Sequence, residues 1–433
     1  MESLLDQLSE LRHLPSTVNP YRFLASKLAS EILPQVPKSA INQLYFVAAT
    51  LAVVAVFALI SLGLRCRRKI FWVFRYDSRL RLIQPHGAVS WTLVSLVSII
   101  LLEVLVARYI GLWQGHPTSD TGYWIFTAWA SVWVAGSIAI WSIASSLVLH
   151  LAATGRSVDK MALFVNVAGI ATPLVVVCVA VPLGVIGGRF YSRTLEDYLR
   201  IQENLADQAR RWTPGTEFDV STLVPEIPLF ESLLSNIDGL GKFARSTYIF
   251  FSVASLSLLC VITSVGGYFL ITLRRVLNRS NAMFTTGAKD EGHKRVKRSL
   301  NSLILILVAF VLLDAGCFVV SAFGAVHPLS FSSTQSSTAL TLSTLYLFCL
   351  LGLPCSIILV IGAYHAAPSE EKGHHPSSHS LSEGRRGVSG NKRSTGQGKD
   401  EIGSAVVTVV VDIHVDEGDV VDVEEEKRKL SFE

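Results

Sequence analysis

The chain has 433 residues, of which 50% are hydrophobic and 17% charged, with a formal net charge of +4 and a mean hydropathy of +0.44. A soluble chain of this length divides into roughly two or three domains, and this composition excludes that class in favour of an integral membrane protein. The modest positive charge, carried on short connections, suits contact with anionic membrane lipid and argues against nucleic acid as a partner.

Residues 1–40 are read as an extracellular N-terminal segment. It contains a short amphipathic helix, Ser3 to Leu14, with Leu4, Leu5, Leu8 and Leu11 on one face; Pro15, Pro20, Pro34 and Pro37 break the rest. Acidic residues precede the first apolar run, so the order of a cleaved signal peptide is missing and the first span is expected to direct its own insertion. Seven apolar stretches follow between residues 41 and 365, at about 41–64, 87–110, 123–152, 161–187, 247–272, 300–325 and 338–364. Each supplies the roughly 20 residues needed to cross about 30 Å of hydrocarbon as a helix. The fold class is therefore an all-α integral membrane protein, a seven-transmembrane helix bundle.

The connections carry orientation. The first, Arg65 to Leu82, and the fifth, Arg274 to Ser299, are crowded with Lys and Arg, whereas the second and sixth hold none. Because basic connections stay cytoplasmic, the N-terminus is placed outside and the C-terminus inside. Cys66, among arginines at the inner end of the first span, is a candidate for S-palmitoylation. In the long outer connection, 189–246, residues 194–212 pattern as an amphipathic helix with Leu195, Tyr198, Leu199, Leu205, Ala206 and Ala209 on one side. A second patch, Val220 to Leu240, is spaced to pack over the outer mouth of the bundle, so the connection is expected to be either a lid or an ordered extension of the fourth helix. Beyond residue 365 the composition turns polar, and 366–433 is read as a cytoplasmic disordered tail.

Ionisable groups inside a bilayer cost at least about 2.5–3.5 kcal/mol each at a helix centre, which makes them candidates for function. Asp314 lies near the middle of the sixth span, Glu103 in the outer half of the second, where Arg108 could meet it, and His150 near the inner end of the third. Trp129 and Trp133 in the third span are candidates to line a cavity, against the simpler reading that aromatic residues at helical spacing face lipid or core. Pro173 and Pro182 in the fourth span and Pro354 in the seventh are expected to kink their helices. Residues Arg274, Arg275, Lys294, Arg295, Lys297 and Arg298 in the fifth connection are candidate contacts for a cytoplasmic partner or lipid headgroups. No nucleophile and base, no metal-ligand spacing and no cofactor motif falls within the spans, so neither enzymatic activity nor a metal or cofactor is expected.

Seven spans, a basic connection between the fifth and sixth, and a serine-rich tail together resemble the layout of G-protein-coupled receptors. The resemblance is one of topology: the third span ends in His150-Leu151-Ala152 where an acidic-Arg-Tyr triplet stands in the large animal class, and the seventh has Leu353-Pro354-Cys355 in place of Asn-Pro. No functional residue is carried over from it. The layout implies a receptor-like protein of the plasma membrane that passes an outside signal to a cytoplasmic partner such as a heterotrimeric G protein. The alternatives are a membrane scaffold, and a transporter using Asp314 as an ion or proton site.

Overall fold

A computed structural model describes residues 15, 17–33, 36–215, 220–283, 290–327 and 334–365. The expected helix at 3–14 and the tail at 366–433 lie outside the described residues. In chain order the elements are α1 (Pro20–Ile32), α2 (Lys38–Arg67), strands β1 (Phe74–Asp77) and β2 (Leu82–Pro85), α3 (Gly87–Trp113), α4 (Thr121–Ala153) and α5 (Asp159–Arg211). A 3-10 turn (Val220–Glu226) leads into α6 (Ile227–Val261), a π turn (Ile262–Gly266) and α7 (Gly267–Met283), followed by α8 (Asp290–Val326) and α9 (Thr334–His365).

Among the described residues seven helical rods are long and apolar enough to cross a membrane, with α6, the π turn and α7 forming one of them. The chain is a multi-pass membrane protein built as an all-α bundle. Neighbours close a ring in the order α2, α3, α4, α5, α6, α8, α9 and back to α2. Helix α4 sits deepest: 72% of its apolar window is buried, against 22–44% for the other six, so it is the hub. Glycines let α5 close onto it, because a Cβ on Gly169 would lie 2.3 Å from the Trp141 ring and one on Gly188 would lie 2.4 Å from Tyr123.

Two features depart from the sequence reading. The fourth span and the helix at 194–212, placed as separate segments, are one rod: α5 runs unbroken through Pro173 and Pro182 to Arg211, a length of about 80 Å. Such a rod exceeds the hydrocarbon thickness by far. Its distal half, the start of α6 and α1 build a second core outside the spanning region, with Tyr21, Leu24, Leu195, Tyr198, Ile201, Leu205, Phe230 and Leu233 buried together. Leu199 points away and is 51% exposed, while Ile201 is completely buried. The start of α6 thus packs along α5. Helix α1 arises where prolines suggested only breaks: Asn19 caps it by accepting from the backbone N–H groups of Tyr21 and Arg22, and Pro20 occupies its first turn.

The second departure is an antiparallel hairpin in the first connection, with Phe74 opposite Pro85 and Asp77 opposite Leu82. The Asp77 carboxylate accepts from the N–H groups of Arg79 and Leu80 and shapes the turn. Asn166 of α5 fastens the returning strand twice, accepting from Ile83 N–H at 2.9 Å and donating to the Arg81 carbonyl at 2.7 Å. Leu82 is fully buried in a cluster with Trp141, Val148 and Leu149. Arg65, counted above among the orienting charges, is also buried, at 2% exposure. Cys66 beside it is exposed.

Candidate functional site

Five helices line one cavity of about 110 Å³ inside the ring. Its residues recur at helical spacing: Trp91, Ser95, Ser98 and Leu102 on α3; Phe310, Asp314 and Cys317 on α8; Phe348, Gly352, Cys355 and Ser356 on α9. Helix α4 adds Trp133 and Gly136, and α2 closes one side with Leu51, Val54 and Ala58. The lining is almost entirely apolar and aromatic, with a few hydroxyls. The Ser98 hydroxyl donates to the Val94 carbonyl at 3.0 Å, and that of Thr92 to the Ala88 carbonyl. Such bonds to the preceding turn satisfy a hydroxyl proton in an apolar setting while leaving lone pairs free.

Asp314 is the one ionisable carboxyl on this wall, and no Lys, Arg or His lines it among the described residues. Nor does Asp314 make a hydrogen bond or ion pair among them. A buried charge normally has a partner inside the bundle. The aromatic walls are held by mutual packing: Trp91 meets Phe310 edge-on at 5.3 Å, Trp129 meets Phe348 at 5.5 Å, and Trp133 stacks on Phe251 at 4.3 Å. The Trp133 indole N–H donates to the Ser255 hydroxyl at 3.1 Å, which fixes the ring further. A second cavity of about 50 Å³ shares Trp133 and Cys317 with the first and is lined by Tyr109, Trp129, Tyr248, Thr341 and Thr344.

The residues singled out from sequence separate here. Asp314 and Trp133 stand on the main cavity, and Trp129 and Trp133 on the smaller one. Glu103 does not line either. Its neighbour Leu102 faces the cavity, while the Glu103 carboxyl has one oxygen buried without a hydrogen-bond partner among the described residues. Arg108 does not meet Glu103; its guanidinium pairs with Asp120 at 2.6 Å, and the Trp124 N–H donates to the same carboxylate at 3.2 Å. Partial burial works against the charge on Asp120, but hydrogen bonds from Thr118 and Trp124 and the Arg108 guanidinium outweigh it and hold the carboxyl below its ordinary range. His150 lies in the last turn of α4, away from both cavities. Among the described residues no cluster of His, Cys, Asp and Glu could hold a metal ion.

Trp91, Phe310, Phe348 and the hydroxyl row of α3 were not singled out from sequence. Their signal was there in the repeats Trp91-Ser95-Ser98 and Phe310-Asp314-Cys317, polar and aromatic residues on one face of otherwise apolar spans.

The basic residues of the fifth connection fall on helices. Arg274 and Arg275 are exposed on α7, and Lys294, Arg295, Lys297 and Arg298 belong to the first turns of α8, the helix that carries Asp314. The π turn at Ile262–Gly266 interrupts the fifth rod beside α8, where a Cβ on Gly266 would lie 2.8 Å from Leu307. Single π turns recur at functional sites in helices. Comparison with protein-family models, curated proteins and solved structures finds no match to this chain.

Proposed function

We propose that the protein is a receptor-like membrane protein that binds a small molecule in the cavity beside Asp314 and passes the event to a cytoplasmic partner. The observation that carries this reading is a carboxyl with no hydrogen-bond or ion-pair partner among the described residues, held on the wall of an otherwise apolar, aromatic cavity. Helix α8 supplies the connection. It runs without a break from Asp290 to Val326, so Asp314 and Arg298 lie about 24 Å apart on one rod. A ligand that favours one position of α8 would move its basic end with it, and would shift a two-state equilibrium only through different affinity for the two states. The plasma membrane is the location that suits this role, and a heterotrimeric G protein is the partner to test.

The test measures nucleotide exchange by heterotrimeric G proteins in cells carrying the full chain or a variant with Arg274, Arg275, Lys294 and Arg295 neutralised, at matched surface expression. Exchange above that of cells lacking the chain, and reduced in the variant, supports coupling. Equal exchange in the two refutes it.

One observation favours transport as a second reading: the two cavities share Trp133 and Cys317 and together extend from Tyr109 and Tyr248 to Leu359. Substrate or proton flux in vesicles carrying the wild-type chain, lost in Asp314→Asn, would favour that reading over a receptor.

A further inference from the structure

We infer that the cavity takes a compact organic cation, an ammonium group on a small branched apolar body; this rests on the reading of the cavity as a ligand site. Three observations converge on that chemistry. Among the described residues the carboxyl of Asp314 has no partner and no basic residue lines the wall. Beside an uncharged ligand that carboxyl would have to stay protonated or carry its charge uncompensated, whereas a cation lets it ionise next to a counter-charge. Trp91, Phe310, Trp133 and Phe348 line the same space, and aromatic rings attract cations through their quadrupoles, most strongly where water is excluded.

Size and polarity narrow the class. A dry cavity of about 150 Å³ accommodates benzene, so the 110 Å³ here admits a body somewhat smaller than a benzene ring. A bare metal cation would need several oxygen ligands. This wall offers one carboxyl and scattered hydroxyls, three of which already donate to carbonyls in their own helix. An organic cation needs no such shell, because its apolar body meets the apolar wall.

The experiment uses the full chain in lipid nanodiscs and measures thermal stabilisation by isobutylamine, by isobutanol as its neutral isostere, and by sodium chloride at matched ionic strength. Wild type is expected to respond to isobutylamine at about tenfold lower concentration than to isobutanol, with no response to sodium chloride in that range. Asp314→Asn is expected to erase the tenfold preference and to keep the response to isobutanol. Equal responses to amine and alcohol in wild type overturn the organic cation while leaving the cavity as a ligand site. An equal response to sodium chloride and amine overturns it in favour of a simple ion. No response to any of the three overturns both the cation and the cavity reading. The wild-type comparison decides among these even if the variant folds poorly.

Discussion

His86 gives the sharpest expectation for stability. Its side chain is 1% exposed, packs edge-on against Trp72 at 4.5 Å, and caps α3 by accepting at Nδ1 from the Val89 N–H at 3.2 Å. Only a neutral imidazole can accept there. Burial, and then the nearby Arg65 charge, push the imidazole down from 6.5 to about 4. Between those two values the unfolded chain binds the proton that the folded chain refuses, so this contribution is complete above about pH 6.5 and is lost as pH falls towards 4. At about 1.4 kcal/mol for each pH unit of that gap, the loss amounts to about 3 kcal/mol. His86→Asn keeps a capping acceptor and removes the titration. Thermal melts of the full chain in detergent at pH 7.5, 6.0 and 5.0 should show a steep loss in wild type and a much flatter one in the variant, which starts lower at pH 7.5 because the Trp72 contact is gone. A variant as steep as wild type would show that acid sensitivity originates elsewhere and refute the assignment.

Gly169→Ala places a Cβ against the ring of Trp141, which is itself buried, so overpacking should cost about 1–3 kcal/mol and lower the melting temperature; an unchanged melt would show that α5 shifts freely along α4. Asn166→Ala removes both bonds that fasten the hairpin, at about 1 kcal/mol each, and should accelerate amide exchange at Ile83 and Leu82 while leaving exchange in the middle of α4 unchanged. The Arg108–Asp120 pair is more than a third exposed on both sides, so a double-mutant cycle should give a coupling of at most about 1 kcal/mol that shrinks with salt.

The seven rods were legible in the sequence because a membrane span is a composition signal, long enough to outweigh local ambiguity. Shorter or mixed signals were not. The fourth apolar stretch was placed at about 161–187, but the helix continues past it, and Gly188 is small because Tyr123 of α4 lies over it. Beyond it the amphipathic pattern was read correctly as helix, and most of the predicted face is buried. Of the two readings left open for this connection, a lid and an extension of the fourth helix, the residues up to Arg211 form the extension. The hairpin left almost no trace, since Phe74–Asp77 and Leu82–Pro85 are only 4 residues each, too short for alternation to register, and Arg75, Arg79 and Arg81 dominate the segment.

Glu103 and Asp314 show where a sequence stops informing about a membrane site. Position along a span can be counted from its ends, and on that measure both carboxyls were candidates. Direction around the helix depends on which neighbours pack where. One residue is a turn of about 100°, enough to put Leu102 on the cavity and Glu103 off it. On α8, the residues one turn either side of Asp314 are Phe310 and Cys317, and all three reach the same space. A carboxyl whose flanking turns are also polar, aromatic or small is therefore a better guide than depth alone. By that rule Asp314 is the stronger candidate: Ile99, which also reaches the cavity, and Val106, the corresponding positions around Glu103, are both aliphatic and belong to the core that α2, α3 and α9 share with α4 and α6. Glu103→Gln should then leave the response to isobutylamine unchanged where Asp314→Asn erases it, and a loss in both variants would refute the distinction.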